Sequence, residues 1–138
     1  MLIAALFACQ AAGCSPLPDP EPLPAGICTV TDGDTIRCGE ERVRLLGIDA
    51  PEMGACRPGR QCVAGSGPDA RAALQRLVEG QPLTIVRLGQ DRYRRTLGVV
   101  FAGDTNTSCA MIAAGQAEYV RRWDDRRAVA RDCPDLAD

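Results

Sequence analysis

The stretch from Val30 to Glu52, VTDGDTIRCGEERVRLLGIDAPE, limits what this chain can become more than any other. Asp32-Gly33-Asp34 falls between two short strand-like runs, Ile27–Val30 and Thr35–Cys38, and Asp-Gly in that setting is a strong hairpin signal. A third strand is expected over Arg42–Ile48. Val43, Leu45, Leu46 and Ile48 populate both of its faces, as in a strand closed into a small barrel. Acids in turns or beside proline are commonly solvated. Here, though, the strands can carry Asp49 back towards the hairpin that holds Asp34. Clustered carboxylates raise one another's pKa unless a cation sits among them. Oxygen ligands without His or Cys select a hard ion, Ca²⁺ or Mg²⁺.

Arg44 lies on the strand face of Leu46 and Ile48, where an unpaired guanidinium would be costly to bury. Its partner is either a local acid such as Glu40 or Glu41, or a substrate phosphate held as a bidentate clamp. Asp91 to Arg95, DRYRR, supplies a second basic cluster beside an aromatic. The pattern reads as a metal site next to a phosphate site.

Composition narrows the chemistry. All 16 basic residues are Arg, and His and Lys are absent. A Ser-His-Asp triad, a mixed Cys/His zinc site and a lysine P-loop are therefore excluded. Two of the 18 acids, Asp19 and Glu21, lie in the N-terminal tail, so the chain from Ile27 onward is balanced in charge. That argues against tight binding of nucleic acid by bulk charge and leaves a few arginines to act locally.

The leader, residues 1–14, is apolar but too short to span a bilayer as a helix. It resembles the end of a secretory h-region. No Arg precedes Arg37, which points to a start upstream of Met1 or a misassigned Met1. Ala12-Gly13-Cys14 resembles the site before a lipidated cysteine in bacterial lipoproteins, although Ala11 stands where an aliphatic residue is usual. Plain cleavage to a soluble exported form is the other reading. Residues 15–26 hold SPLPDPEPLPA, an extended Pro-rich tether, and the domain is expected over 27–138. Setting aside Cys9 and Cys14 leaves six of eight cysteines, which allow 15 pairings. Hairpin geometry favours Cys28–Cys38, the short Gly/Pro loop favours Cys56–Cys62, and Cys109 and Cys133 remain to tie a late helix to the C-terminus.

GSGPDARAALQRLVEG predicts a helix with Pro68 at its first position, Ala70, Ala73, Leu74, Leu77 and Val78 on one face, and Gly80 at its end. Strands are expected over Pro82–Leu88 and Thr96–Phe101, a second helix from Asn106 or Ser108 to Ala114, and a last helical turn or two over Asp124–Asp132. The sum is an α+β, mainly β fold: a five-stranded OB-type barrel with two or three helices.

In that order the motifs resemble the staphylococcal-nuclease (thermonuclease-like) family. Its DGDT stands here as Asp32-Gly33-Asp34-Thr35, its strand arginine as Arg44, its D-x-P-E turn as Asp49-Ala50-Pro51-Glu52, and its D-x-Y-G-R as Asp91-Arg92-Tyr93-Arg94-Arg95. Arg94 replaces the usual glycine, which bears on the reach of Arg95. The resemblance implies an OB barrel that hydrolyses DNA and RNA phosphodiesters with Ca²⁺, leaving 3′-phosphate ends. It implies Asp34, Asp49 and the Ala50 carbonyl as Ca²⁺ ligands, with Asp32 supporting them. Glu52 would orient or deprotonate the attacking water, and Arg44 and Arg95 would stabilise charge on phosphorus. Tyr93 would contact the nucleotide, with Arg92 beside it, and Trp123 is either a base-stacking residue or a core or lid residue. The expected protein is an exported, monomeric nuclease of the bacterial envelope, anchored through Cys14 or secreted. The alternative is an OB barrel that binds nucleic acid or an envelope partner without cutting.

Overall fold

The computed structural model of the protein describes residues 18–138. The leader, with Cys9 and the lipidation candidate Cys14, lies outside them. In chain order the elements are β1 (Leu23–Pro24), β2 (Cys28–Asp32), β3 (Thr35–Cys38), β4 (Glu41–Leu45), β5 (Ile48–Asp49), α1 (Gly67–Val78), β6 (Leu83–Gln90) and β7 (Thr96–Ala102). They are followed by β8 (Thr105–Asn106), α2 (Thr107–Ala113), β9 (Glu118–Tyr119) and α3 (Ala128–Asp132). Short 3₁₀ turns surround α3.

The main sheet runs β1-β6-β7-β4-β3-β2, with β8 on β7, and β5 pairs with β9 in a separate ribbon. All neighbours are antiparallel except β4 and β7, which are parallel. A meander, a parallel return and an antiparallel hairpin in this order make the OB arrangement. The fold is α+β and mainly β, as the strand pattern predicts. The hydrogen-bonded path stays open between β2 and β6, because β6 meets β1 on its outer edge, with Leu23 opposite Ile85 and Pro24 opposite Thr84. The end of the Pro-rich tether thus serves as an edge strand, and Pro is compatible with an edge because an outward-facing position needs no donor. Asp19 binds Arg126 and Arg131, holding the same segment against the body.

Strand alternation builds two cores. Val43, Leu45, Ile85 and Val100 point into the main cluster, with Ala70, Ala73 and Leu74 of α1 closing it. Their neighbours Leu46, Val86 and Val99 face a second cluster closed by Val129. This is the period-two rule at work on a sheet buried on both sides. The expected single strand over Arg42–Ile48 is broken at Gly47, whose φ of +73° is open to glycine at no steric cost. Ile48 therefore returns to the main core instead of sharing a face with Leu46.

Helix α1 begins as its sequence signals. Ser66 Oγ accepts from Asp69 N–H (3.2 Å), Pro68 occupies the first turn and Asp69 complements the helix dipole. Its Ala70 packs over the Asp-Gly turn so closely that a Cβ on Gly33 would sit 2.7 Å from Ala70 Cβ and 2.8 Å from Ala50 Cβ. The glycine is there for proximity. The three favoured disulfides, Cys28–Cys38, Cys56–Cys62 and Cys109–Cys133, are all present, and Cys28 and Cys38 are register partners in the β2–β3 hairpin.

Glu41 locks the sheet from its rim. It accepts two hydrogen bonds from Arg87 (2.8 and 2.7 Å) and one from Thr96 Oγ1 (2.8 Å), joining β4, β6 and β7. It is therefore not the partner of Arg44. The Arg87 hydrogen bonds hold the Glu41 carboxyl below its usual range against a smaller opposing effect of burial.

Two outcomes are expected. Gly33→Ala should lower the denaturant midpoint, at a cost of about 1–3 kcal/mol from overpacking. Because the Glu41 pKa is depressed in the fold, its stabilisation is present above the ordinary carboxylate range and is lost as pH falls through the folded value. Glu41→Gln should therefore flatten the acid limb of a stability-against-pH curve, by about 1 kcal/mol.

Candidate active site

The hairpin, the Gly47 turn and the Asp49–Glu52 turn bring their polar side chains to one place. Asp32, Asp34, Arg44, Ala50, Pro51, Glu52, Met53, Arg60 and Arg95 line a cavity of about 80 Å³. At its floor Asp34 and Arg44 are both nearly buried. Arg44 Nη1 stands 2.5 Å from Asp34 Oδ2, and Nη2 is 3.5 Å from Asp49 Oδ1. Nη2 also donates to the Ile48 carbonyl at 3.2 Å. Asp34 Oδ2 accepts the Ala50 N–H (2.9 Å), and Oδ1 accepts from Thr35 Oγ1 (3.1 Å). The anionic partner of Arg44 in the fold is thus Asp34 with Asp49, not Glu40 or Glu41. Nη1 is buried without a well-directed hydrogen bond among the described residues.

The carboxylates differ sharply in their proton affinity. Burial pushes Asp34 up, but the Arg44 charge and the hydrogen bonds it accepts outweigh it, so its carboxyl stays below the usual value. Asp32 lies beside it without an arginine of its own. Burial first, and then the Asp34 carboxylate, push Asp32 up to about 6. Its Oδ1 accepts the Asp34 N–H at 3.2 Å, which shapes the turn. Asp49 is raised by burial, with Arg44 pulling the other way. Three acids, Asp32, Asp34 and Glu52, face three arginines, Arg44, Arg60 and Arg95, around this cavity.

Asp49 is tied to the cavity through Arg44 and Arg60 and is not among its lining residues. Among the described residues, no three His, Cys, Asp or Glu side chains are grouped as a ready-made metal cage. The donors at hand are all oxygens, which suits a hard cation by chemistry. Glu52 stands at the half-exposed rim. It is placed by a close approach of α1: a Cβ on Gly67 would lie 2.1 Å from the Glu52 carbonyl oxygen, so only glycine lets the helix start there.

Arg95 reaches the cavity. Asp91 organises its loop: Oδ1 accepts the N–H groups of Tyr93 (2.9 Å) and Arg95 (3.0 Å), and Oδ2 pairs with Arg95 Nε at 2.7 Å. Arg94 has φ of +62°. It adopts the left-handed backbone that a glycine would take there, so the turn survives the replacement. Tyr93 and Arg92 sit outside the cavity on the exposed side, with Arg92 Nη2 donating to Tyr93 Oη at 2.7 Å and the Arg92 guanidinium over the ring. Trp123 is part-exposed. Its ring packs against the Arg44 guanidinium at 5.5 Å and that of Arg122 at 5.2 Å, outside both cores.

Arg60 is the residue that motif reading missed. It comes from the Cys56–Cys62 loop and pairs with Glu52 Oε1 (3.0 Å) and Asp49 Oδ1 (3.4 Å). The signal was there to see: an arginine inside a cystine loop that starts four residues after Glu52.

Comparison with known proteins adds an independent line. The family model described as staphylococcal nuclease homologue matches residues 42–135. An uncharacterized endonuclease of Haemophilus influenzae is 33% identical over 102 residues, covering 70% of this chain and 52% of that protein. A micrococcal nuclease of Shigella flexneri is 34% identical over 110 residues, covering 70% of this chain and 58% of that protein. The succinoglycan biosynthesis protein ExoI of Rhizobium meliloti is 34% identical over 105 residues, covering 75% and 52%. The chain thus spans little more than half the length of these relatives.

Left-handed backbone costs a non-glycine residue about 1–2 kcal/mol. Arg94→Gly should therefore raise the thermal midpoint slightly, after the entropy that glycine adds to the unfolded chain is subtracted. Arg94→Ala should bring no gain. Paired calorimetric scans would check both.

Proposed function

The chain belongs to the staphylococcal nuclease homologue family, and from that premise we propose that it is an exported, Ca²⁺-dependent nuclease that hydrolyses phosphodiester bonds of DNA or RNA. The observation that carries this reading is the convergence of Arg44, Arg60 and Arg95 with Asp32, Asp34 and Glu52 on one polar cavity. Phosphodiester hydrolysis needs cationic donors for the phosphoryl oxygens and a carboxylate for the water. A structural salt-bridge network has little use for an open space among them.

Asp34 and Asp49 would hold the cation, with the Ala50 carbonyl as a further ligand and Asp32 supporting them. The oxygen-only donor set supports this, since carboxylate and carbonyl oxygens without His or Cys select a hard cation. When bound, Ca²⁺ would offset the phosphodiester's charge and make phosphorus more open to attack.

The chain's own residues account for the rest. Glu52 accepts a proton from water as the water oxygen bonds to phosphorus. The bond from phosphorus to the 5′-oxygen breaks, and that oxygen takes a proton from solvent, leaving 3′-phosphate and 5′-hydroxyl ends. Arg44 and Arg95 hydrogen-bond the oxygens on which charge builds up, each worth a few kcal/mol in the transition state by analogy with other pre-organised donors. Trp123 keeps Arg44 from swinging away, and Tyr93 with Arg92 offers a face for the nucleotide outside the cavity. Export is supported by the three disulfides, which persist in oxidising compartments. Lipidation at Cys14 would anchor the domain at the envelope, and a soluble form starting beyond Cys14 would exclude the anchor.

Digestion of plasmid and single-stranded DNA tests the reading. Wild type should cleave both with Ca²⁺ and stop with EGTA. Glu52→Gln, at the half-exposed rim, should keep the fold and lose about 10²–10⁴ in rate. A wild type that cuts no faster than the variant would sink the enzyme and leave, at most, a nucleic-acid-binding barrel.

A further inference from the structure

Arg60 is presented with more care than a surface arginine needs. Arg57-Pro58-Gly59-Arg60 forms a turn in which Arg60 N–H donates to the Arg57 carbonyl (3.2 Å) and Gly59 has φ of +78°. Proline at the second position and glycine at the third are the residues that a type II turn demands. The Cys56–Cys62 disulfide closes the loop around that turn, with its Cα atoms 6.0 Å apart. Three local constraints thus act on one short exposed segment, and their effect is to hold a guanidinium against the cavity.

The closer of the two contacts Arg60 makes there, with Glu52, adds little to stability. The Arg60 side chain is 45% exposed and that of Glu52 is 36% exposed, and an ion pair so open to water contributes little to stability. Yet Arg60 bridges the carboxylates of Glu52 and Asp49, while Arg44 and Arg95 are each engaged mainly with other acids, Asp34 and Asp91. Of the three cavity arginines, Arg60 has the most exposed side chain. It can therefore exchange partners at the least cost. A phosphodiester suits it, since its two non-bridging oxygens can accept both arms of the guanidinium fork, whereas the two carboxylates share Nη2 alone.

Building on the nuclease reading above, we infer that Arg60 is a third phosphate-binding guanidinium of this site, held there by the Cys56–Cys62 loop, and that it pairs with Glu52 until a nucleic-acid phosphate displaces the carboxylate. Arg60 is a substrate-binding residue in this scheme. Arrival of the phosphate draws Arg60 off Glu52 and leaves that carboxylate free for water. The loop makes this depend on the cystine, because a reduced loop would let the turn, and Arg60 with it, move off the cavity.

The test measures binding apart from cleavage. Affinity for a fluorescent single-stranded oligonucleotide is titrated against salt with EDTA present, and kcat and KM are measured separately with Ca²⁺. The variants are Arg60→Ala, Arg60→Lys, Cys56→Ser with Cys62→Ser, and the triple combination, all shown by circular dichroism to be folded at the assay temperature, since loss of a cystine by itself lowers the thermal midpoint. Arg60→Ala should weaken binding and raise KM by about 5- to 10-fold while kcat stays within about 3-fold, as for lost uniform binding. Its log K against log salt slope should flatten by about 0.7, the release expected for one phosphate contact on a single strand. Arg60→Lys should recover part of the loss, and the cystine variant should reproduce most of it. Adding Arg60→Ala to the cystine variant should cost only the small remainder. An active wild type with Arg60→Ala unchanged in affinity, KM and salt slope would overturn the inference and leave the nuclease reading intact. So would independent, additive losses from the arginine and the cystine, as far as the loop's role is concerned. A wild type that neither cuts nor binds would overturn both readings together.

Discussion

The ion pair between Arg44 and Asp34 is the contact on which the rest of the site hangs. It lies at the junction of the β2–β3 hairpin, strand β4 and the Asp49–Glu52 turn, and both partners are nearly out of reach of solvent. Burying either charge alone would be strongly unfavourable, and losing one partner of such a pair typically costs about 3–5 kcal/mol. The pair therefore forces three chain segments into one arrangement. Asp34 completes it by accepting the Ala50 N–H, which places the acidic turn beside the hairpin. The protein keeps this arrangement although an apolar pair could be as stable. On the nuclease reading, a site that receives a charged substrate is a sufficient reason.

Around that pair the molecule distributes its carboxylates unequally. Asp34 is held ionised by Arg44, Glu52 sits at the rim with Arg60, and Asp32, pushed up first by burial and then by Asp34, holds its proton more tightly. Oxygen donors of one kind thereby occupy different electrostatic positions, which is the condition for dividing roles among chemically similar groups. The near-neutral charge of the domain fits this picture. Three of its arginines, Arg44, Arg60 and Arg95, line the cavity, while the domain as a whole carries no basic excess.

Close approaches do the positioning. Gly33 and Gly67 let α1 press against the hairpin and the Glu52 backbone, so the helix sets the geometry of the site without lending it a side chain. The disulfides act at the periphery of the same structure, clamping the hairpin that bears Asp32 and Asp34 and closing the loop that bears Arg60. Stability and function share these parts.

Local signals were enough for the five longer strands, the two longer helices, the cystine pairs and most of the side chains that line the cavity. Asp-Gly between β-forming runs, Pro68 before an apolar face and cysteines equidistant from Gly33 each act over a few residues, so their meaning can be read without the fold. Three things could not be read that way. The break at Gly47 sends Ile48 to the other core, because a positive φ is permitted to glycine but not required of it. The open path between β2 and β6 depends on a proline-rich segment from before the domain finding the β6 edge. The partners of Arg44 and the entry of Arg60 depend on loops meeting across the barrel. Sequence by itself determined which charges this protein has to accommodate and which strands would carry them. Only the tertiary structure decided which charge faces which, because ion pairing follows distance in space, and distance along the chain does not encode it.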